Sequence, residues 1–266
     1  LMAGNVVVAK PAVATSIIAF EMIKLFYEAG IPKAALHLLP GDAEEIGQPL
    51  ITHPNLAGIM LTGSNATAKI LQRQLAERPG PILPLIAETG GQNAMFVDSS
   101  ALAEQVITDV IASAFHSAGQ RCSALRLLCL QAEIAEPILT MLKGAMATQI
   151  VNDPMHLTSD IGPIIDNAAL TKLQDHRNVL EETAEFIAEI PLAKNCPSGT
   201  FFAPCAYKIN SIEQLTEEVF GPILHIYVFQ KSALLETVAA VNNTGFGLTL
   251  GIHSRVDQTI DLIVKR

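Results

Sequence analysis

The chain has 266 residues, of which half are hydrophobic and 16% charged, and its formal net charge is −9. That balance excludes a disordered chain and argues against a nucleic-acid binder, because no basic face is left to neutralise phosphates. No apolar run reaches the roughly 18 uninterrupted residues of a membrane span, and the length allows one large domain or two smaller ones.

The elements follow in chain order. Val6-Val7-Val8 is a β-branched run, predicting a strand over Asn5 to Ala9 that Lys10-Pro11 ends. Ile18, Met22, Leu25 and Phe26 lie at helical spacing in Thr15 to Ala29, and Gly30 with Pro32 stops that helix. Leu36 to Leu39, Leu56 to Leu61 and Ile82 to Ala87 read as strands, with helices over Asp42 to His53 and Asn65 to Glu77 between them. This alternation predicts an α/β protein with a parallel, doubly wound sheet, which binds ligands beyond the carboxyl ends of its strands. Lys10, Ser64 and Glu88 fall at those ends. Thr62-Gly63-Ser64 opens a helix whose free N–H groups suit a phosphate. No G-x-G-x-x-G and no P-loop occur.

Beyond Gly90-Gly91, Asp98-Ser99-Ser100 offers cap oxygens to an apolar helix running from Ala101 to Ala118. Strands are expected over Leu125 to Leu130, Phe201 to Ile209, Ile223 to Phe229 and Leu248 to His253. Helices are expected over Ile134 to Ile150, Asn167 to about Glu189, Leu234 to Asn242 and from Asp257 onward. The domain division is placed near Gly90-Gly91, giving two subdomains, 1–90 and 91–266. The chain opens in a strand and closes in a helix, so we expect a piece of a longer protein, truncated at both ends.

Four cysteines, Cys122, Cys129, Cys196 and Cys205, form neither a C-x-x-C pair nor a zinc spacing, and the histidines do not cluster, so no metal is expected. Free thiols and the lack of a signal peptide fit a cytoplasmic location. Cys129 falls in a strand and reads as core. Cys122 differs: it stands in Gly119-Gln120-Arg121-Cys122-Ser123, past the end of a helix. A single cysteine is more often a buried small hydrophobe. A second stretch, Glu88-Thr89-Gly90-Gly91, supplies a carboxylate on a glycine-softened turn, and thiol and carboxylate together suggest covalent catalysis with a separate base.

Taken in order, Asn5 to Pro11, Leu61 to Ser64, Glu88 to Gly91, Gly119 to Ser123 and Glu218 to Pro222 resemble the motifs of the NAD(P)-dependent aldehyde dehydrogenase superfamily. The stretch from Ala87 to Gln131 is most similar to its 1-pyrroline-5-carboxylate (L-glutamate γ-semialdehyde) dehydrogenase branch, as found in bifunctional bacterial proteins of proline catabolism. The resemblance implies NAD oxidation of the semialdehyde to L-glutamate. It makes Cys122 the nucleophile and Glu88 the general base. Ser123 would bind the substrate carboxylate. It assigns Lys10 to the adenosine ribose, Ser64 to the pyrophosphate, Glu218 to the nicotinamide ribose and Phe220 to the nicotinamide ring.

The resemblance further implies a homo-oligomeric parent, FAD only if a proline dehydrogenase domain accompanies this one, and at most peripheral attachment to the inner membrane. Three departures stand out. Val13 replaces a glutamate that many relatives use on the adenosine ribose, so NADP is not excluded. The upstream Trp-Asn-Phe-Pro motif, whose asparagine is the second oxyanion donor, is absent. So is the C-terminal Pro-Phe-Gly-Gly segment with its substrate loop. A poorly active fragment is therefore expected. The alternatives are another aldehyde dehydrogenase, for instance one for succinate semialdehyde, or a catalytically silent relative. A cysteine hydrolase would need a histidine beside Cys122, and His116 is the nearest in sequence.

Overall fold

The computed structural model describes residues 1–266. The chain divides into two units, Leu1–Thr89 and Gly90–Arg266. In the first, β1 (Val7–Ala9), α1 (Ser16–Glu28) and β2 (Leu36–Leu38) are followed by α2 (Gln48–Thr52), β3 (Ile59–Thr62), α3 (Asn65–Glu77) and β4 (Leu85–Glu88). Every pairing is parallel, as the alternation requires. The four strands form two separate pairs, β1 with β2 and β3 with β4, where one continuous sheet was expected. The segment expected to be helical from Asp42 begins instead as a π-turn over Ala43–Gly47, with α2 starting after it.

The second unit is built on one six-stranded sheet in the order β10-β5-β6-β9-β8-β7. Its strands are β5 (Ala94–Val97), β6 (Leu127–Gln131), β7 (Glu185–Glu189), β8 (Cys205–Lys208), β9 (Ile223–Phe229) and β10 (Leu250–His253). All neighbours are parallel except β7 and β8. The helices are α4 (Ala103–Phe115), α5 (Ala132–Ala147), α6 (Asn167–Thr183), α7 (Leu234–Asn243) and α8 (Asp257–Val264). Both faces of the sheet's centre are covered, which is why Leu127 to Leu130 read as an unbroken apolar run and are all fully buried. Cys129 belongs to that run, and burial pushes its thiol far up. No helix is long and apolar enough to cross a membrane.

Four expectations fail here. Strand β5 was not anticipated, because Ala-Met-Phe-Val is only four residues between polar segments. The long helix from Asn167 stops at Thr183, and Glu185–Glu189 is a strand. Its glutamates and alanine favour helix weakly, and the antiparallel ladder to β8 overrides that preference. Helix α4 stops at Phe115, short of Ala118. Asp98 does not cap α4, whose cap position is Leu102. Its Oδ1 instead accepts from the Ser100 amide at 2.8 Å and the Ser100 hydroxyl at 2.6 Å.

Candidate active site

Cys122 lies on the loop between α4 and β6 and is exposed, the condition a nucleophile requires. The chain reaches it through an unusual turn. Ser117 (φ 56°), Ala118 (φ 52°) and Gly119 (φ 62°) are consecutive left-handed residues. That region costs a side chain about 1–2 kcal/mol per residue. Only Gly119 is sterically compelled, because a Cβ there would lie 2.5 Å from the Gly221 carbonyl oxygen. Ala118 is buried.

Three buried or half-buried side chains hold the loop. The Asn93 carboxamide donates to the carbonyls of Cys122 at 2.7 Å and Ala124 at 2.8 Å, and its Oδ1 accepts from the Thr249 amide at 3.0 Å. Gln120 donates to the Pro163 carbonyl at 3.1 Å and accepts from the Ile165 amide at 2.8 Å, tying the loop to the segment before α6. Arg126 is fully buried and donates to the carbonyls of Gly221 at 2.7 Å and Arg121 at 3.1 Å. On the outer side, Ser123 and Arg121 line a cleft of about 770 Å³ shared with Asp109, His253 and Arg255.

Glu218 and Phe220 lie on the turn before β9. The Glu218 carboxylate accepts from the Gly91 amide at 3.3 Å and packs where a Cβ on Gly90 would stand, so a side chain there would push the carboxylate aside. It also comes within 3.9 Å of the Arg126 guanidinium, and that guanidinium sits 5.4 Å above the half-exposed Phe220 ring. Cys122, Ser123, Glu218 and Phe220 thus share one corner of the second unit.

The other three predicted residues stand at strand ends of the first unit. Lys10 follows β1 and its Nζ donates to the Pro11 carbonyl at 3.1 Å. Ser64 caps α3, its Oγ accepting from the Thr67 amide at 3.1 Å. Exposed Glu88 ends β4 in register with Thr62, and its carbonyl accepts from the Gly63 amide at 3.0 Å.

Sequence reasoning passed over Asn93, Arg126 and His225. Each carried a signal: a lone polar or charged residue in or beside an apolar strand. His225 is fully buried on β9. Its Nδ1 lies 3.0 Å from the Arg126 carbonyl, which can only accept, so the proton is on Nδ1. Nε2 must then accept from His176 Nε2–H at 2.8 Å. Burial, and next the His176 charge, push His225 down to about 3. An unfolded histidine binds its proton near 6.5. Between these values the unfolded state holds a proton that the folded state lacks. Stability therefore falls as pH drops from about 6.5 toward 3, by up to about 1.4 kcal/mol per pH unit from this residue. His176 is lowered by burial and acts in the same direction. Urea titrations at pH 7.5 and 5.0 should show the loss, and a His225→Leu variant should show a shallower one. Equal slopes in the two proteins would contradict this account.

An exposed thiol on a glycine turn, an α/β sheet behind it and the Glu218–Pro222 turn beside it define a class. Residues 1–266 match the aldehyde dehydrogenase family, and the chain belongs to that family. It is 47% identical to the bifunctional protein PutA of Escherichia coli (strain K12) over 268 residues, covering 98% of this chain and 20% of that protein. It is 31% identical to the 1-pyrroline-5-carboxylate dehydrogenase of Geobacillus kaustophilus, covering 96% of this chain and 50% of that one. A crystal structure of bifunctional proline utilization A superposes with a TM-score of 0.94 at 47% identity, covering 100% of this chain and 27% of that one. The chain thus spans about a fifth to a half of the curated relatives it matches.

Proposed function

We propose that the protein carrying this chain oxidises L-glutamate γ-semialdehyde to L-glutamate in proline catabolism, with NAD⁺ as acceptor. The observation that supports this best is the exposed Cys122 on a loop whose carbonyls are gripped by buried Asn93 and Arg126. In this reading the Cys122 thiolate adds to the aldehyde carbon. Its own backbone N–H donates to the oxyanion that forms. A dinucleotide held there would supply the hydride acceptor; the adduct carbon gives up its hydride and is left as a thioester on Cys122. Glu88 then takes a proton from water, the resulting hydroxide cleaves the thioester, and the thiolate is released. The residues at hand suit a dinucleotide: the first-turn amides of α3 behind Ser64 favour phosphate, Lys10 is a cation, and Glu218 and Phe220 offer an acceptor and a flat ring.

The subdomain roles follow: residues 1–90 belong to dinucleotide binding and 91–266 to catalysis. Ser123, on the wall of a cleft with basic neighbours, is assigned to the substrate carboxylate. A cytoplasmic, homo-oligomeric enzyme is the corresponding proposal for the whole protein, with FAD bound only by an accompanying proline dehydrogenase domain. NADP is left open by Val13. The test is the full-length protein assayed on a panel of aldehydes. Glutamate semialdehyde should give the highest kcat/KM. Preference for succinate semialdehyde would sink the substrate assignment while leaving the chemistry standing.

A further inference from the structure

Arg126 is a full charge immediately before the central strand β6, with no solvent exposure. Such a group persists only if its surroundings repay the loss of water. Its surroundings are unusual. One Nη donates to Gly221, on the turn that carries Glu218 and Phe220, and the other to Arg121, the residue before the thiol. The Glu218 carboxylate lies 3.9 Å away, the Phe220 ring 5.4 Å below, and Nε is buried without a partner. The residue ties the thiol loop to a turn 95 residues beyond it in sequence.

We propose that Arg126 is a positioning residue that fixes the thiol loop against the Glu218–Gly221 turn, setting where the nucleophile stands relative to the nicotinamide end of a bound dinucleotide. This rests on the proposed function above and adds to it the part that joins the two motifs. The requirement is for a charged, forked donor. Methionine would fill the space but take one donor from each carbonyl, leaving Gly221 only the Ile223 amide at 3.0 Å and Arg121 only the Ala124 amide at 3.0 Å. Lysine could reach one of them. The titratable groups facing the position are Glu218 from the turn, Cys122 from the loop and His225 from β9, which His176 of α6 backs. Burial lowers even the arginine to about 10, offset in part by Glu218 and Cys122. A lysine there would lose its proton well before arginine does as pH rises.

The test uses the full-length protein with Arg126→Met and Arg126→Lys. Arg126→Met should lower kcat by about 10- to 100-fold and weaken NAD⁺ binding, read by fluorescence titration without aldehyde, by about tenfold. Arg126→Lys should recover part of both at pH 6.5 and lose the recovery toward pH 9, while the wild type shows no such loss. Unchanged kcat and NAD⁺ affinity in Arg126→Met would overturn the proposal. So would equal losses in both variants at every pH, which would mark a space-filling role, or failure of both to fold, which would make Arg126 scaffold alone. Retained turnover in Cys122→Ala, by contrast, would remove the nucleophile reading whatever the arginine variants did.

Discussion

Cys122→Ala should abolish aldehyde oxidation, by roughly four orders of magnitude or more, since no other group can form the covalent intermediate. The variant should fold normally. Cys122 is exposed, its carbonyl and not its side chain is what Asn93 holds, and alanine removes one sulfur from the surface. Dinucleotide binding should survive, so the loss falls on kcat. Two of the three remaining cysteines, Cys129 and Cys205, are buried and poor substitutes, with the Cys205 thiol pushed up to about 12 by that burial; Cys196 is half-buried and its thiol is also raised by burial. Steady-state assays with glutamate semialdehyde, alongside unfolding curves of both proteins, decide the matter. Turnover within tenfold of wild type would end the covalent mechanism.

Glu88→Gln should produce a different failure. In the proposed mechanism the carboxylate acts after hydride has left, on water, so the first half-reaction needs no base at that position. Rapid mixing should show a burst of about one reduced dinucleotide per site. A steady state slower than wild type by roughly two to four orders of magnitude should follow. Quenching with hydroxylamine in the slow phase should trap the acyl group. Glutamine keeps the shape of the side chain at the exposed end of β4, so the fold should be undisturbed. A variant with no burst, or with normal steady-state rate, would show that Glu88 has another task.

How much of this could be read in the sequence depends on what kind of signal each part leaves. Helix α3 was legible to the residue, because Ser64 caps it and Arg78 ends it. Strand β9 was equally clear as a seven-residue run, apolar but for His225. The thiol loop and the Glu218–Pro222 turn were legible as motifs. β5 was not, since four residues leave no period to count and its strand character comes from partners on both sides. β7 was hidden because Glu-Phe-Ile-Ala-Glu continues the composition of α6. The supporting residues escaped for a related reason. Arg126 and Asn93 act through partners 95 and 29 residues away, and no local pattern announces such a bond.

The three left-handed residues ahead of Cys122 bear on any attempt to make this protein more robust. Scoring positions one by one for conformational comfort would single out Ser117 and Ala118 and recommend glycine at both. The exchange would ease the backbone and also set it swinging, because glycine tolerates many conformations beside the one now enforced. A protein altered there would lose in unfolded-state entropy much of what it gained in backbone comfort and would present its sulfur less faithfully, which makes this turn a poor place to look for heat tolerance.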